Sequence, residues 1–217
     1  MPKEALVRID KHIPFEHAAL FGCGVVTGVG AVINTASARE EDSIAIVGLG
    51  GVGLSALLAS IAIGSKKTIA IDLSNEKLNL AHELGADHIL NPNDANFLER
   101  IRDLTSGGAN IAIETAGSGR ALKTAYDITR RGGTTVAAGM PGPKVDITLS
   151  HLSIAAEERI IKGSYMGSCI AHRDIPKYLD MFQTGKLPVD RLLSRKITFE
   201  DLNAAMDRLD DAKTVRD

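Results

Sequence analysis

Ser43-Ile-Ala-Ile-Val47, followed without a break by Gly48-Leu-Gly-Gly-Val-Gly53 and then by Leu54-Ser-Ala-Leu-Leu-Ala-Ser-Ile-Ala-Ile63, decides the fold. A short run rich in β-branched residues meets a cluster of glycines. From Val52 to Ile63 the chain is then apolar nearly all round at helical length, as in a deeply buried helix. Strand, glycine turn and helix therefore follow one another directly. Similar runs recur downstream at Thr68–Asp72, His88–Leu90, Asn110–Glu114, Thr134–Ala138 and Arg159–Gly163. Most are continuous rather than alternating, which marks parallel strands covered on both faces. Helical patterns separate them at Asn75–Leu84, Asn96–Leu104 and Arg120–Thr129; the first opens after Ser74, an N-cap residue, and stops at Gly85. The alternation predicts an α/β fold, a doubly wound parallel sheet of about six strands of the Rossmann type.

The doubly wound unit is expected at residues 36–165. Residues 1–35 hold Pro14, a short helix over Phe15–Leu20 and a glycine-rich run from Gly22 that leads into an apolar helix ending near Ala36. Residues 166–217 hold two amphipathic helices, His172–Gln183 and Phe199–Leu209. The second carries Leu202, Met206 and Leu209 on one face and a capping-box-like start at Thr198 and Asp201. The sequence shows no internal repeat and no low-complexity tract.

Composition narrows the function classes. The 217 residues carry a formal charge of −2, with 44% hydrophobic and 24% charged residues. This is a folded chain's composition, without the basic excess of a general nucleic-acid or membrane-surface binder. The longest apolar run, Leu54–Ile63, is about half of the roughly 20 residues that span a bilayer. The first residues show no signal-peptide pattern. Two cysteines, Cys23 and Cys169, make no disulfide framework, and a reducing cytoplasm is the default expectation. Six histidines at 12, 17, 82, 88, 151 and 172 show no metal-ligand spacing.

The glycine turn fits G-x-G-x-x-G in its required strand–turn–helix setting. Gly48 permits the tight turn, Gly50 lets the backbone approach a pyrophosphate, and Gly53 permits close helix packing. With Gly51 and Val52 it opens a helix whose N-terminus favours phosphate. Asp72 closes the second strand about 24 residues past Gly48, where a carboxylate accepts both ribose hydroxyls of an adenosine and repels a 2′-phosphate. The expected cofactor is NAD rather than NADP. Lys77, one helical turn on, suits the same ribose or plain solvation. Tyr-x-x-x-Lys of the short-chain dehydrogenases is absent, and so is the Gly-Lys-Ser/Thr of a phosphate-binding NTPase loop.

Gly22-Cys23-Gly24-Val-Val-Thr27-Gly28-Val-Gly30, together with the glycine turn and Asp72, resembles the zinc-containing medium-chain alcohol dehydrogenases, most of all the branch that includes glutathione-dependent formaldehyde dehydrogenase. The similarity runs from Val7-Arg-Ile-Asp10 to Thr214-Val-Arg216. It implies that Cys23 matches a ligand of the catalytic zinc, where residue type alone would suggest a buried small apolar side chain. It implies that Thr27 touches the nicotinamide, and that Val52 supports the ring and pyrophosphate. Asp72 and Lys77 would hold the adenosine ribose, with Thr115 and Ala116 near the adenine. Ala138, Gly139 and Met140 would line the nicotinamide, Ser164 and Met166 its amide and ribose, and Arg216 the pyrophosphate. Glu114, at a strand end on the same side, reads equally as a functional or a solvated carboxylate, and Cys169 as inert.

The resemblance further implies a catalytic domain whose first zinc ligands, proton relay and four-cysteine lobe have no counterpart in these residues. The chain then reads as the C-terminal portion of such an enzyme, with residues 1–35 and 166–217 as remnants of that domain. One thiolate cannot fix a catalytic zinc, so the expectation is NAD binding without efficient turnover of a small alcohol or aldehyde. A non-catalytic NAD-binding module is the alternative, and a zinc-free quinone-reductase-like relative is disfavoured by Cys23. A homodimer is expected through edge strands at Lys144–Thr148 and Arg159–Gly163, with no nucleic-acid or membrane partner. The flanking segments should expose apolar faces.

Overall fold

The computed structural model describes residues 6–193 and 196–210. Its centre is a six-stranded, all-parallel sheet in the order β3-β2-β1-β4-β5-β6. The strands are β1 Ser43–Val47, β2 Lys67–Ile71, β3 His88–Leu90, β4 Ala109–Glu114, β5 Thr129–Ala137 and β6 Ile160–Gly163. The helices are α1 Phe15–Ala18, α2 Gly24–Gly30, α3 Gly51–Ala62, α4 Asn75–Glu83, α5 Phe97–Thr105, α6 Gly119–Ile128, α7 His151–Ala156, α8 Ala171–Gln183 and α9 Leu202–Asp210. The doubly wound sheet expected from the sequence is present.

The two-sided burial has a simple origin. Successive strand residues face opposite sides. Ile44, Ile46, Ala70, Ile111, Ile113 and Val136 join one core with α2, α3, α4 and α8. Ala45, Val47, Ile69, Ile71 and Ala112 join a second core with Phe97 and Ile101 of α5 and Ala125 and Ile128 of α6. Both faces need apolar side chains, so the runs do not alternate. Helix α3 is buried continuously from Gly53 to Ser60, which explains its lack of a polar face. It packs so closely on α2 that a Cβ at Gly28 would stand 2.2 Å from the Val52 carbonyl oxygen.

Helix α2 continues through a π-helical turn at Ala31–Thr35. Among the described residues no single helix is long and apolar enough to cross a membrane. The apolar stretch Phe15–Gly22 and Gly24–Thr35 is bent by 56°, and α2 is wholly buried.

Three local expectations are corrected. The helix read to Thr129 stops at Ile128, and Thr129 already belongs to β5, beside Ala109. That strand therefore opens well before Thr134, with an irregular register near its start. Lys144–Thr148 forms a turn and irregular chain rather than a strand, and among the described residues no strand pairs with it. The expected helix over 199–209 begins as a 3-10 turn at Phe199–Asp201 before α9, with the Thr198 hydroxyl donating to Asp201 Oδ2 at 3.3 Å. Leu202 and Met206 of that helix are exposed, as are Phe15 and Phe199; the side chain of Leu209 lies outside the described residues.

Candidate functional site

The strand order reverses between β1 and β4, and a crevice opens there beyond the carboxyl ends of the strands. Every turn on that side is tied to its neighbour. Gly48 N–H donates to Ile71 O at 2.8 Å, Thr115 N–H to Val47 O at 2.9 Å, Ala138 N–H to Glu114 O at 2.9 Å, and Ser164 N–H to Ala137 O at 2.9 Å.

The glycines of the first turn divide their work. Gly48 has φ +96°, in the left-handed region, and a Cβ there would press on Ala116 at 2.9 Å. A Cβ on Gly53 would stand 1.8 Å from the Gly48 carbonyl oxygen and 2.7 Å from Thr115 Oγ1. Both are demanded by the fold. Gly50 differs: its φ is −76°, and a Cβ there would meet nothing within 4 Å. The protein gives no internal reason for glycine at Gly50. Helix α3 starts at Gly51, so the first N–H groups of the helix, which have no partner within it, stand next to this glycine.

Asp72 lies beside this turn. Its Oδ2 accepts the Leu49 N–H at 2.7 Å and its Oδ1 the Ser74 N–H at 2.8 Å. Each oxygen keeps a further lone pair for an incoming hydroxyl. The carboxylate lines a cavity of about 190 Å³ with Val47, Gly48, Leu73, Ala116 and Arg120. Arg120 was not singled out by sequence reading; its guanidinium donates to Asn93 Oδ1 at 2.8 Å. The signal available was its place in the first turn of the helix that follows β4. Thr115 does not line this cavity. Its hydroxyl donates to the Gly48 carbonyl at 2.7 Å and braces the glycine turn instead. Lys77 is half-buried one turn into α4, where its N–H reaches the capping Ser74 hydroxyl at 3.4 Å.

Across the crevice Ala138, Gly139, Met140 and Ser164 line a second, more open cavity of about 470 Å³ with Tyr165 and Ser168. Met166 stands behind it, its sulfur 3.9 Å from the Thr27 hydroxyl. Thr27 is buried in α2 and also donates to Cys23 O at 2.8 Å. Arg216 lies outside the described residues.

Glu114 is neither a solvated strand end nor open to a ligand. It is 2% exposed, and its Oε1 accepts the Gly117 N–H at 2.6 Å. Burial pushes its carboxyl above the ordinary value, against nearby backbone N–H groups that favour the charged form. A Cβ on Gly139 would stand 2.2 Å from the Gly117 nitrogen and 2.8 Å from Glu114 Oε1. Glu114 therefore ties together the turns after β4 and β5.

Cys23 is exposed at the N-terminus of α2, not buried as a small apolar residue. Among the described residues no group of three His, Cys, Asp or Glu side chains could hold a metal ion. Cys169 is half-buried, and burial together with Asp174 pushes its thiol up to about 11. At pH 7–8 an aromatic disulfide reagent should therefore modify Cys23 rapidly and leave Cys169 unreacted until the protein unfolds. Two rapidly reacting thiols per chain would contradict this arrangement.

Comparison with known proteins agrees with the fold. The family model for zinc-binding dehydrogenases matches residues 51–184. Geraniol dehydrogenase of Castellaniella defragrans is 33% identical over 211 residues, covering 97% of this chain and 56% of the relative. S-(hydroxymethyl)glutathione dehydrogenase of Paracoccus denitrificans is 29% identical, covering 100% of this chain and 60% of the relative. The crystal structure of benzyl alcohol dehydrogenase from Acinetobacter calcoaceticus superposes with a TM-score of 0.94 at 31% identity, over 98% of this chain and 59% of that one. The chain thus spans little more than half the length of these relatives.

Proposed function

Because the chain belongs to the zinc-binding dehydrogenase family, we propose that it is the NAD-holding, C-terminal portion of a zinc-dependent alcohol dehydrogenase. The observation that carries the cofactor reading is Gly50: glycine stands where the fold leaves room for a side chain, at a helix N-terminus beside Asp72. The pyrophosphate then lies over Gly50, Gly51 and Val52, and the adenosine ribose meets Asp72. The adenine enters the cavity lined by Ala116 and Arg120, and the nicotinamide faces Ala138, Gly139, Met140 and Ser164. Bound NAD supplies the carbon that accepts a hydride. The chain's own part is to hold that ring against Thr27 and to screen one face of it from water with the turns after β5 and β6.

The substrate class we propose is an alcohol or aldehyde, or a hydroxymethyl-thiol adduct, in line with the names of the relatives. The described residues do not fit a catalytic zinc by themselves, since Cys23 is a single thiol and such sites take three protein ligands. The same observation favours a second reading, a module that binds NAD without turning over substrate. We place the protein in the cytoplasm, with its thiols free. We also propose a homodimer through the outer edge of β6, where Ile160 and Ile161 are exposed; a monomer by light scattering would argue against that interface.

Fluorescence titration of the chain with NADH and NADPH tests the cofactor reading. NADH should bind with clear preference. Asp72→Asn keeps an acceptor for the Leu49 N–H but removes the charge that repels a 2′-phosphate. That variant should narrow the NADH/NADPH preference by about tenfold or more. Equal binding of both cofactors by the unaltered chain would remove the role assigned to Asp72.

A further inference from the structure

Behind the second cavity the backbone takes a costly path. Met166, Gly167 and Ser168 have φ values of +48°, +65° and +48°, three left-handed residues in succession. Methionine and serine rarely adopt that region, and such conformations persist only where the surroundings impose them. Gly167 is further fixed by crowding, since a Cβ there would stand 2.2 Å from the Val26 carbonyl oxygen.

The groups that impose this turn come from the π-helical end of α2. Asn34 Nδ2 donates to Gly167 O at 3.1 Å, and lies 3.2 Å from Asp174 Oδ2 and 3.1 Å from the Tyr178 hydroxyl. Asp174 is 2% exposed and Tyr178 fully buried in α8. Asp174 also accepts the Ile170 N–H at 2.7 Å and pairs with Arg173 at 2.6 Å, so it is itself anchored. Next to Asn34, the Thr35 hydroxyl meets Ser164 Oγ at 2.8 Å and Ser168 Oγ at 2.9 Å. Its carbonyl accepts the Lys162 ammonium at 3.1 Å. The two serines, Ser164 just before the strained turn and Ser168 at its end, both line the cavity.

We infer that Asn34 and Thr35 are positioning residues for the nicotinamide end of the cofactor, acting through the left-handed turn Met166–Ser168 that they hold. The inference rests on the dinucleotide reading above. One short segment, the end of α2, fixes both sides of the nicotinamide wall, while Cys23 and Thr27 lie at the start of the same helix. The spacing between the thiol and the ring is thus set within one element. Neither Asn34 nor Thr35 needs to touch the cofactor.

The test separates positioning from general damage by using ADP-ribose, which keeps the adenosine and pyrophosphate but lacks the nicotinamide. In the unaltered chain NADH and ADP-ribose should both bind. Asn34→Ala and Thr35→Val should weaken NADH roughly tenfold and reduce the change in nicotinamide emission on binding, while ADP-ribose affinity moves less than about twofold. Thr35→Ser, which keeps the hydroxyl, should restore the NADH value. If Asn34→Ala folds poorly, the Thr35→Val and Thr35→Ser pair carries the test. Equal losses for both ligands, or no loss for either, would overturn the positioning role. If the unaltered chain bound neither ligand, the dinucleotide reading would fail and this inference with it. Normal ADP-ribose binding beside an unchanged NADH response in the variants would remove the inference alone.

Discussion

Gly50→Val should weaken NADH binding by about 100-fold while lowering the melting temperature by only a few degrees. The two effects separate because the added atoms meet no protein atom within 4 Å at the Cβ position, and valine accepts the backbone angles of −76° and −172°. The folded state loses at most a helix-capping glycine, about 1 kcal/mol. The ligand loses its closest approach to the N–H groups that open α3. A pyrophosphate cannot move aside without abandoning those donors, so the whole loss falls on binding. Isothermal titration beside a thermal melt reads both quantities. A variant that bound NADH like the parent would show that no phosphate lies on this turn.

Gly53→Ala should do the reverse and act on the fold itself. Its methyl group would be built 1.8 Å from the Gly48 carbonyl oxygen, and that oxygen also accepts the Thr115 hydroxyl. Backbone must shift, and α3 is buried continuously from Gly53 onward, so the shift disturbs packed neighbours. Overpacking of this kind costs about 3 kcal/mol or more. For a chain of this size that is a fall of roughly 6–12 °C in melting temperature. Denaturation followed by circular dichroism would read it. A melting temperature within about 1 °C of the parent would mean that the turn yields more readily than its packing implies. With these outcomes, two glycines three residues apart in one motif would separate a ligand requirement from a folding requirement.

The sheet was legible in the sequence because parallel strands buried on both faces leave unbroken apolar runs, as at Ile44-Ala-Ile-Val47 and Ile111-Ala-Ile113. The glycine turn and Asp72 were legible because their spacing is local. What escaped depended on distant partners. Thr129 carries a helical pattern up to Ile128, yet pairing with Ala109 makes it strand, and its hydroxyl meets both Ala125 O and Thr135. Val145 and Ile147 alternate like a strand but have no neighbouring strand among the described residues. Asn34 looked like any polar residue near a helix end; its partners Gly167, Asp174 and Tyr178 lie 133 to 144 positions away. Glu114 was read from its place at a strand end, whereas its burial comes from the turn after β5 closing over it. Arg120 sat in plain view after Ser118, but only the three-dimensional crevice brings it beside Asp72.

The reversal of strand order between β1 and β4 also has a consequence during synthesis. The contact that closes it, from the Thr115 hydroxyl to the Gly48 carbonyl, spans 67 positions. A ribosome adding 5–20 residues per second needs about 3–13 s to cover that distance. Once β2 has emerged within that interval, β1 can pair with it on one side, while its other edge stays open to any extended chain nearby. The nascent protein is therefore most prone to mispairing after its first three strands have emerged and before β4 arrives. Slowing translation between Leu90 and Ala109 should lengthen that exposure and lower the yield of soluble chain.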